Sequence, residues 1–351
     1  MPHRQRSGSS LEGLPVLGYI GSGPYCYTNS LAMMLGEHSP STAVIETLTG
    51  SPFGAQLIGG SLPLFDPYGW HPEAGLDAAI DLLGWSCTRS DGGTPGEALE
   101  RLRTACARGP ALVGPVDMGL LLYQPGTPHA DGGDHYVVVL AAGPDHVELH
   151  DPHGHPYATL PIRAFLAAWE ARTVSYIDAP FVLRTGFVRH RPVAALDALR
   201  RSLPGADRWL AGRDDLPMPA GSLGGAAAVE AVADIVAQGT PPGIRTLLTA
   251  FGVRVGARRL SDTASCLEEI GLPGAASVAR HQARILGGLQ YPLVHGDDQT
   301  AAAQLRLLAP GYAQLRSALD STTDCGADAG SVYGPNHSHA RPAPSSAPRA
   351  A

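Results

Sequence analysis

The segment GGDHYVVVLAAGPDHVELHDPHG, residues 132–154, limits the fold of this chain more than any other stretch. Two Val-rich runs flank Gly143, Pro144 and Asp145, a turn-forming triplet, so the segment reads as a β-hairpin. The pairing that best segregates apolar residues sets Val137 opposite Leu149 and Val139 opposite Val147. The other face then carries Tyr136, Val138 and Leu140 opposite His150, Glu148 and His146, a half-polar surface in partial contact with solvent. The same register places His135 directly opposite Asp151. An imidazole and a carboxylate in hydrogen-bond range are what a general base and its orienting group require.

A nucleophile to match lies near the N-terminus. Tyr27, Leu31, Met34 and Leu35 recur at helical spacing in YTNSLAMMLGE, which puts Cys26 at the first turn of a helix. Only the thiolate of cysteine is a strong nucleophile, and the unpaired N–H groups of a helix N-terminus favour it. Taken singly, each residue has a plainer role: Cys26 as a small buried hydrophobe, His135 as a surface histidine, Asp151 as a turn former before Pro152. Taken together, they imply chemistry through an acyl-enzyme.

At 351 residues the chain is long enough for two domains. Residues 1–10 and 321–351 lack periodicity and read as disordered. Residues 11–185 mix short helices with β-branched runs, the Pro/Gly-rich and charged stretch 186–225 reads as a linker, and 226–320 read as successive helices, an all-α appendage. The fold class expected is α+β with a C-terminal all-α domain.

A formal charge of −7 with no basic cluster argues against nucleic acid or an anionic membrane as partner. Cys26, Cys87, Cys106, Cys266 and Cys325 form no CxxC pair, so neither a disulfide framework nor a zinc ribbon is expected and a reducing cytoplasm fits. No run of about 18 apolar residues suggests a membrane span. His146, His150, His153 and His155 cluster around Asp151 but match no standard ligand spacing, and no metal or cofactor is expected. Gly18, Gly21 and Gly23 lack the Lys-Ser/Thr of a phosphate loop.

GPYCYTNSLAMML, PALVGPVDMGLLLY and DHYVVVLAAGPDHVELHDPHG together resemble the butirosin-biosynthesis H protein (BtrH-type) family. That family is a branch of the papain-like cysteine fold similar to C39-type peptidases. The resemblance covers about residues 14–180, and LPIRAFLAAWEA around Trp169 is similar to the segment that closes such domains. It implies that Cys26, His135 and Asp151 are nucleophile, base and orienter. It also implies transfer of an acyl group from an acyl carrier protein, or another thioester donor, to a small-molecule amine acceptor, with amide formation in antibiotic biosynthesis. Asp117 and Tyr123 match positions near the cleft by the same resemblance. One departure stands out: the papain-like oxyanion Gln is missing from the stretch Leu17 to Ser22. The Cys26 N–H remains as one donor, and Ser22, Tyr19 or Asn29 is left as the second. Hydrolysis, by a peptidase, amidase or thioesterase of the same scaffold, stays open, as does a non-catalytic binding module.

Overall fold

The computed structural model describes residue 19 and residues 25–125, 129–130, 132–213 and 215–320. The stretches 1–10 and 321–351, together with Ser22 and Cys325, lie outside the described residues.

The first helices are α1 (Cys26–Leu35) and α2 (Thr42–Leu48), followed by the short strands β1 (Gln56–Ile58) and β2 (Leu62–Leu64). Helix α3 (Pro72–Leu82), strand β3 (Trp85–Ser90) and helix α4 (Pro95–Cys106) come next. Pro95 at the first helical position and a Thr94–Glu97 capping box fix the start of α4. Strands β4 (Ala111–Asp117), β5 (Asp134–Ala142), β6 (His146–Asp151) and β7 (His155–Pro161) lead to helix α5 (Ile162–Trp169) and strand β8 (Leu183–Arg189). These strands form a six-stranded sheet in the order β3-β8-β4-β5-β6-β7, antiparallel at every junction.

Strand β5 is central, and both of its faces are covered. Val137 and Val139 pack with Leu102 of α4 and Phe165 and Trp169 of α5. Tyr136, on the alternate face, joins a second core with Tyr27 and Leu31 of α1. The half-polar, partly solvated face expected from the sequence is therefore corrected at its base: Tyr136 and Val138 are buried, because α1 lies over them, while His146 stays exposed.

The hairpin register also differs from expectation. Val139 pairs with Leu149 rather than Val147, a slip of two residues. The cause is the turn: Gly143 N–H donates to His146 O at 2.9 Å, so only Pro144 and Asp145 lie between the paired residues, and an irregularity between Val139 and Ala141 then gives one residue of that shift back. His135 is thus not directly opposite Asp151. A two-residue slip preserves the alternation of faces, however, and leaves Asp151 on the side that His135 can reach.

The segment 186–225, read from the sequence as a linker, holds the end of β8, the 17-residue helix α6 (Ala195–Ala211) and the strand β9 (Leu223–Gly224). Ala198, Leu199 and Ala206 of α6 are buried, so its amphipathic face is part of the core. Strand β9 pairs with β1, joining the N-terminal part of the chain to the start of the helical region in a small second sheet.

The C-terminal region is helical: α7 (Gly225–Ala237), α8 (Pro242–Leu247), α9 (Val253–Glu269), α10 (Pro273–Gly288), α11 (Gln290–His295), α12 (Asp298–Leu308) and α13 (Gly311–Asp320). It is not an appendage. Leu267 of α9, Ala276 of α10 and Leu315 of α13 share one hydrophobic cluster with Leu31 of α1, Ile45 of α2 and Leu76 of α3. Among the described residues no helix is long and apolar enough to cross a membrane.

Candidate active site

Cys26 is the first residue of α1 and is half-buried. Among the described residues no side chain caps this helix, and the first intrahelical bond runs from Asn29 N to Tyr25 O at 2.8 Å. The N–H groups of Cys26, Tyr27 and Thr28 therefore have no partner within the helix and present the positive end of its dipole beside the thiol.

The helix end is clamped from two directions. Ser30 Oγ donates to the Tyr136 carbonyl at 3.1 Å, tying α1 to β5. Tyr27 and Thr28 both donate their hydroxyls to the buried Glu46 of α2. Glu46 also accepts from Ser51 Oγ at 2.8 Å and from Arg259 Nε at 2.7 Å. Arg259 belongs to α9, is buried, and spreads its guanidinium over Tyr27 Oη (2.9 Å) and Asp66 Oδ2 (3.1 Å). Tyr25, on the other side of Cys26, donates its hydroxyl to Asp262 of α9 at 2.9 Å and lies beneath the Arg258 guanidinium, 3.7 Å from the ring centroid. Every one of these contacts to α9 links residues far apart in sequence, so the position of Cys26 depends on the C-terminal helices.

His135 is the second residue of β5 and is fully buried, as is the Asp151 side chain that closes β6. His135 Nε2 and Asp151 Oδ1 are 2.8 Å apart. Burial alone would raise the Asp151 carboxyl, but hydrogen bonds from His135, the His153 backbone N–H (2.7 Å) and Tyr123 hold it well below the usual carboxylate range. Asp151 is therefore an acceptor, Nε2–H is the donor, and in the neutral ring Nδ1 is left with a free lone pair. Nδ1 is buried and makes no closed hydrogen bond among the described residues. Cys26 is close enough to act on the ring electrostatically. Burial disfavours the charged imidazole, yet the hydrogen bond to Asp151 and the proximity of Cys26 outweigh it and raise the His135 pKa.

Tyr123, matched to the cleft only by resemblance, is brought to the site: its hydroxyl donates to Asp151 Oδ2 at 2.9 Å. Gln124 Nε2 donates to the same oxygen at 2.9 Å, a contact that sequence reasoning missed although the two residues are adjacent in LLLYQ. Asp117 is placed otherwise. Its carboxylate accepts from Gly119 N (3.0 Å), Gly132 N (3.5 Å) and the Thr173 hydroxyl, and so pins the loops that lead into β5. Tyr19 is exposed and Asn29 half-buried.

Of the four histidines that cluster in the sequence, only His153 joins His135 and Asp151, with its ring centroid 4.4 Å from that of His135. Loss of hydration on that side and the neighbouring His135 push the His153 pKa down. His150 instead accepts from Tyr157 N at 3.1 Å, and His155 meets the edge of Tyr123.

The fold and site together define an α+β chain carrying a thiol, an imidazole and a carboxylate in sequence across a helix N-terminus and two adjacent strands. A family model described as the YobF C-terminal domain matches residues 219–320, the region that contains β9 and α7 to α13. Over 164 residues the chain is 31% identical to the "Uncharacterized protein YobF" of Bacillus subtilis (strain 168), a match covering 46% of this chain and 53% of that protein. The chain thus spans about half the length of the curated relative it matches.

Proposed function

We propose that this chain is a papain-like, C39-like cysteine acyltransferase of the BtrH type, with Cys26 as nucleophile, His135 as base and Asp151 as orienter. The observation that carries the reading is the 2.8 Å bond from His135 Nε2 to the buried Asp151, which leaves Nδ1 for the thiol at the N-terminus of α1. His135 takes the thiol proton, and the thiolate attacks a thioester carbonyl. The oxyanion is received by the N–H groups of the first turn of α1 that make no bond within the helix. Collapse expels the donor thiol, protonated by His135, and leaves an acyl group on Cys26. An amine then attacks the acyl-enzyme, His135 accepts its proton, and an amide and free Cys26 are released.

The acyl-enzyme half rests on the geometry, and the thioester donor, an acyl carrier protein or its equivalent, and the small-molecule amine rest on the resemblance of residues 14–180. A cytoplasmic setting suits four described cysteines that are all free.

The test is intact-mass analysis of the full chain with a short acyl-thioester surrogate. An acyl adduct on the wild type that is absent from Cys26→Ala supports the proposal. Absence of an adduct across several donors, with Cys26 inert to iodoacetamide, sinks it. Adding amines distinguishes the acceptor: amide formation supports transfer, whereas turnover without amine makes the same three residues those of a hydrolase.

A further inference from the structure

The side chain of His153 has no role in the acyl-transfer scheme, yet it stands with two buried groups that do. One ring nitrogen of His153, one of His135 and a carboxylate oxygen of Asp151 lie within 4.8 Å of one another. We propose that these three side chains form a site for a zinc-class divalent cation, and that its occupation switches the candidate active site off.

The donor set decides the class of ion. Two imidazoles and one carboxylate suit zinc, whereas magnesium and calcium demand a larger shell of oxygens. A tetrahedral ion with bonds of about 2.0–2.1 Å separates its donors by roughly 3.4 Å. His135 Nε2 and Asp151 Oδ1, now 2.8 Å apart across a proton, need to part by only a fraction of an ångström once that proton passes to Nδ1 in the other tautomer.

The surroundings are those of an oriented ligand set. Asp151 Oδ2 is held by Tyr123 and Gln124, both at 2.9 Å, and the His153 backbone donates to Oδ1 at 2.7 Å, which fixes the loop that bears the third ligand. His153 is exposed where the other two are buried, so the ion has an entry from solvent. Arg254 and His155 approach His153 and limit how tightly a cation is held.

The consequence for chemistry follows from the two nitrogens of one ring. An ion on Nε2 takes the place of the proton shared with Asp151 and draws electron density from the imidazole. The neutral ring then carries its one proton on Nδ1, which has no lone pair left to offer, and the thiol of Cys26 loses its proton acceptor. This inhibitory effect rests on the function proposed above, whereas the ligation does not.

The experiment is calorimetric titration of zinc into the full chain, stripped with EDTA and desalted, alongside iodoacetamide alkylation of Cys26 followed by intact mass. The wild type should bind one equivalent. His153→Ala should bind at least ~10-fold more weakly, while keeping the wild-type alkylation rate without zinc. Cys26→Ser should bind zinc as the wild type does, and zinc should slow alkylation of the wild type far more than that of His153→Ala. Equal affinity in wild type and His153→Ala, or loss of binding in Cys26→Ser, would overturn the site. Because calorimetry reads the metal without turnover, an inert Cys26 beside intact zinc binding would sink the acyltransferase reading and leave this site standing.

Discussion

Arg259 donates from Nε to Glu46 at 2.7 Å, and Glu46 in turn receives the hydroxyls of Tyr27 and Thr28, the two residues that follow Cys26. A buried cation in the ninth helix thereby sets the end of the first. The guanidinium also satisfies Asp66, so its removal strands two carboxylates in the core.

Arg259→Met should therefore lower the unfolding free energy by about 3–5 kcal/mol, the cost of leaving buried charge uncompensated. Urea denaturation of wild type and variant measures this. Arg259→Lys keeps the charge but not the fork of donors, and should remain folded while alkylation of Cys26 slows. An unchanged rate in that folded variant would show that Arg259 does not position the thiol.

Tyr123→Phe removes one of the donors that keep Asp151 ionised. The loss of a hydrogen bond to a charged group is worth about 1.5–3 kcal/mol. The acid limb of the pH dependence of Cys26 alkylation should shift upward, because the Asp151 carboxyl becomes easier to protonate. A profile superimposable on that of the wild type would remove Tyr123 from the site.

The His135–Asp151 pair gives the folded state a defined pH signature. His135 has a folded pKa raised above its ordinary 6.5, so its contribution is fully present below that value and is lost as pH rises through the folded value. Asp151 has a folded pKa depressed below its ordinary 3.8, so its contribution is present above that value and is lost as pH falls through the folded value. The stability difference between wild type and Asp151→Asn should be greatest between about pH 4 and 6.5 and shrink on both sides. Chemical denaturation across pH checks this. A difference that grows steadily from pH 6.5 to 10 has the wrong sign.

Gly114 sits where β4 slips by one residue against β5 before pairing Val116 with His135. A Cβ at this position would lie 2.5 Å from the Tyr136 ring and 2.9 Å from the His135 carbonyl. Gly114→Ala should cost about 1–3 kcal/mol and displace the start of β5. Thermal unfolding measures the first effect. The second is read as slower alkylation of Cys26.

The three central residues were legible because each sits where local chemistry speaks: Cys26 before an apolar helical repeat, His135 and Asp151 at the rims of a Val-rich hairpin. The exact register was not, because a two-residue turn at Pro144–Asp145 and an irregularity near Leu140 move the pairing without changing the alternation of faces. The α6 segment read as a linker because Pro204 and Gly205 break its pattern, yet the helix runs through both. Arg259 and Glu46 were invisible for a different reason. A charged residue on an amphipathic helix is ordinarily a solvated one, and only the packing of α9 on α2 buries the two together.

That packing has a consequence for how the chain comes to function during its own synthesis. Tyr25 and Asp262 are 237 residues apart, and Glu46 and Arg259 are 213. While the ribosome is still making the first half, Cys26 exists but the groups that fix its helix do not. Closing such long loops is slow, and it comes late. A nascent or prematurely ended chain would thus carry Cys26 on a helix whose anchors, Arg259 and Asp262, have not yet been made, and the thiol would take its final surroundings only when the ninth helix docks.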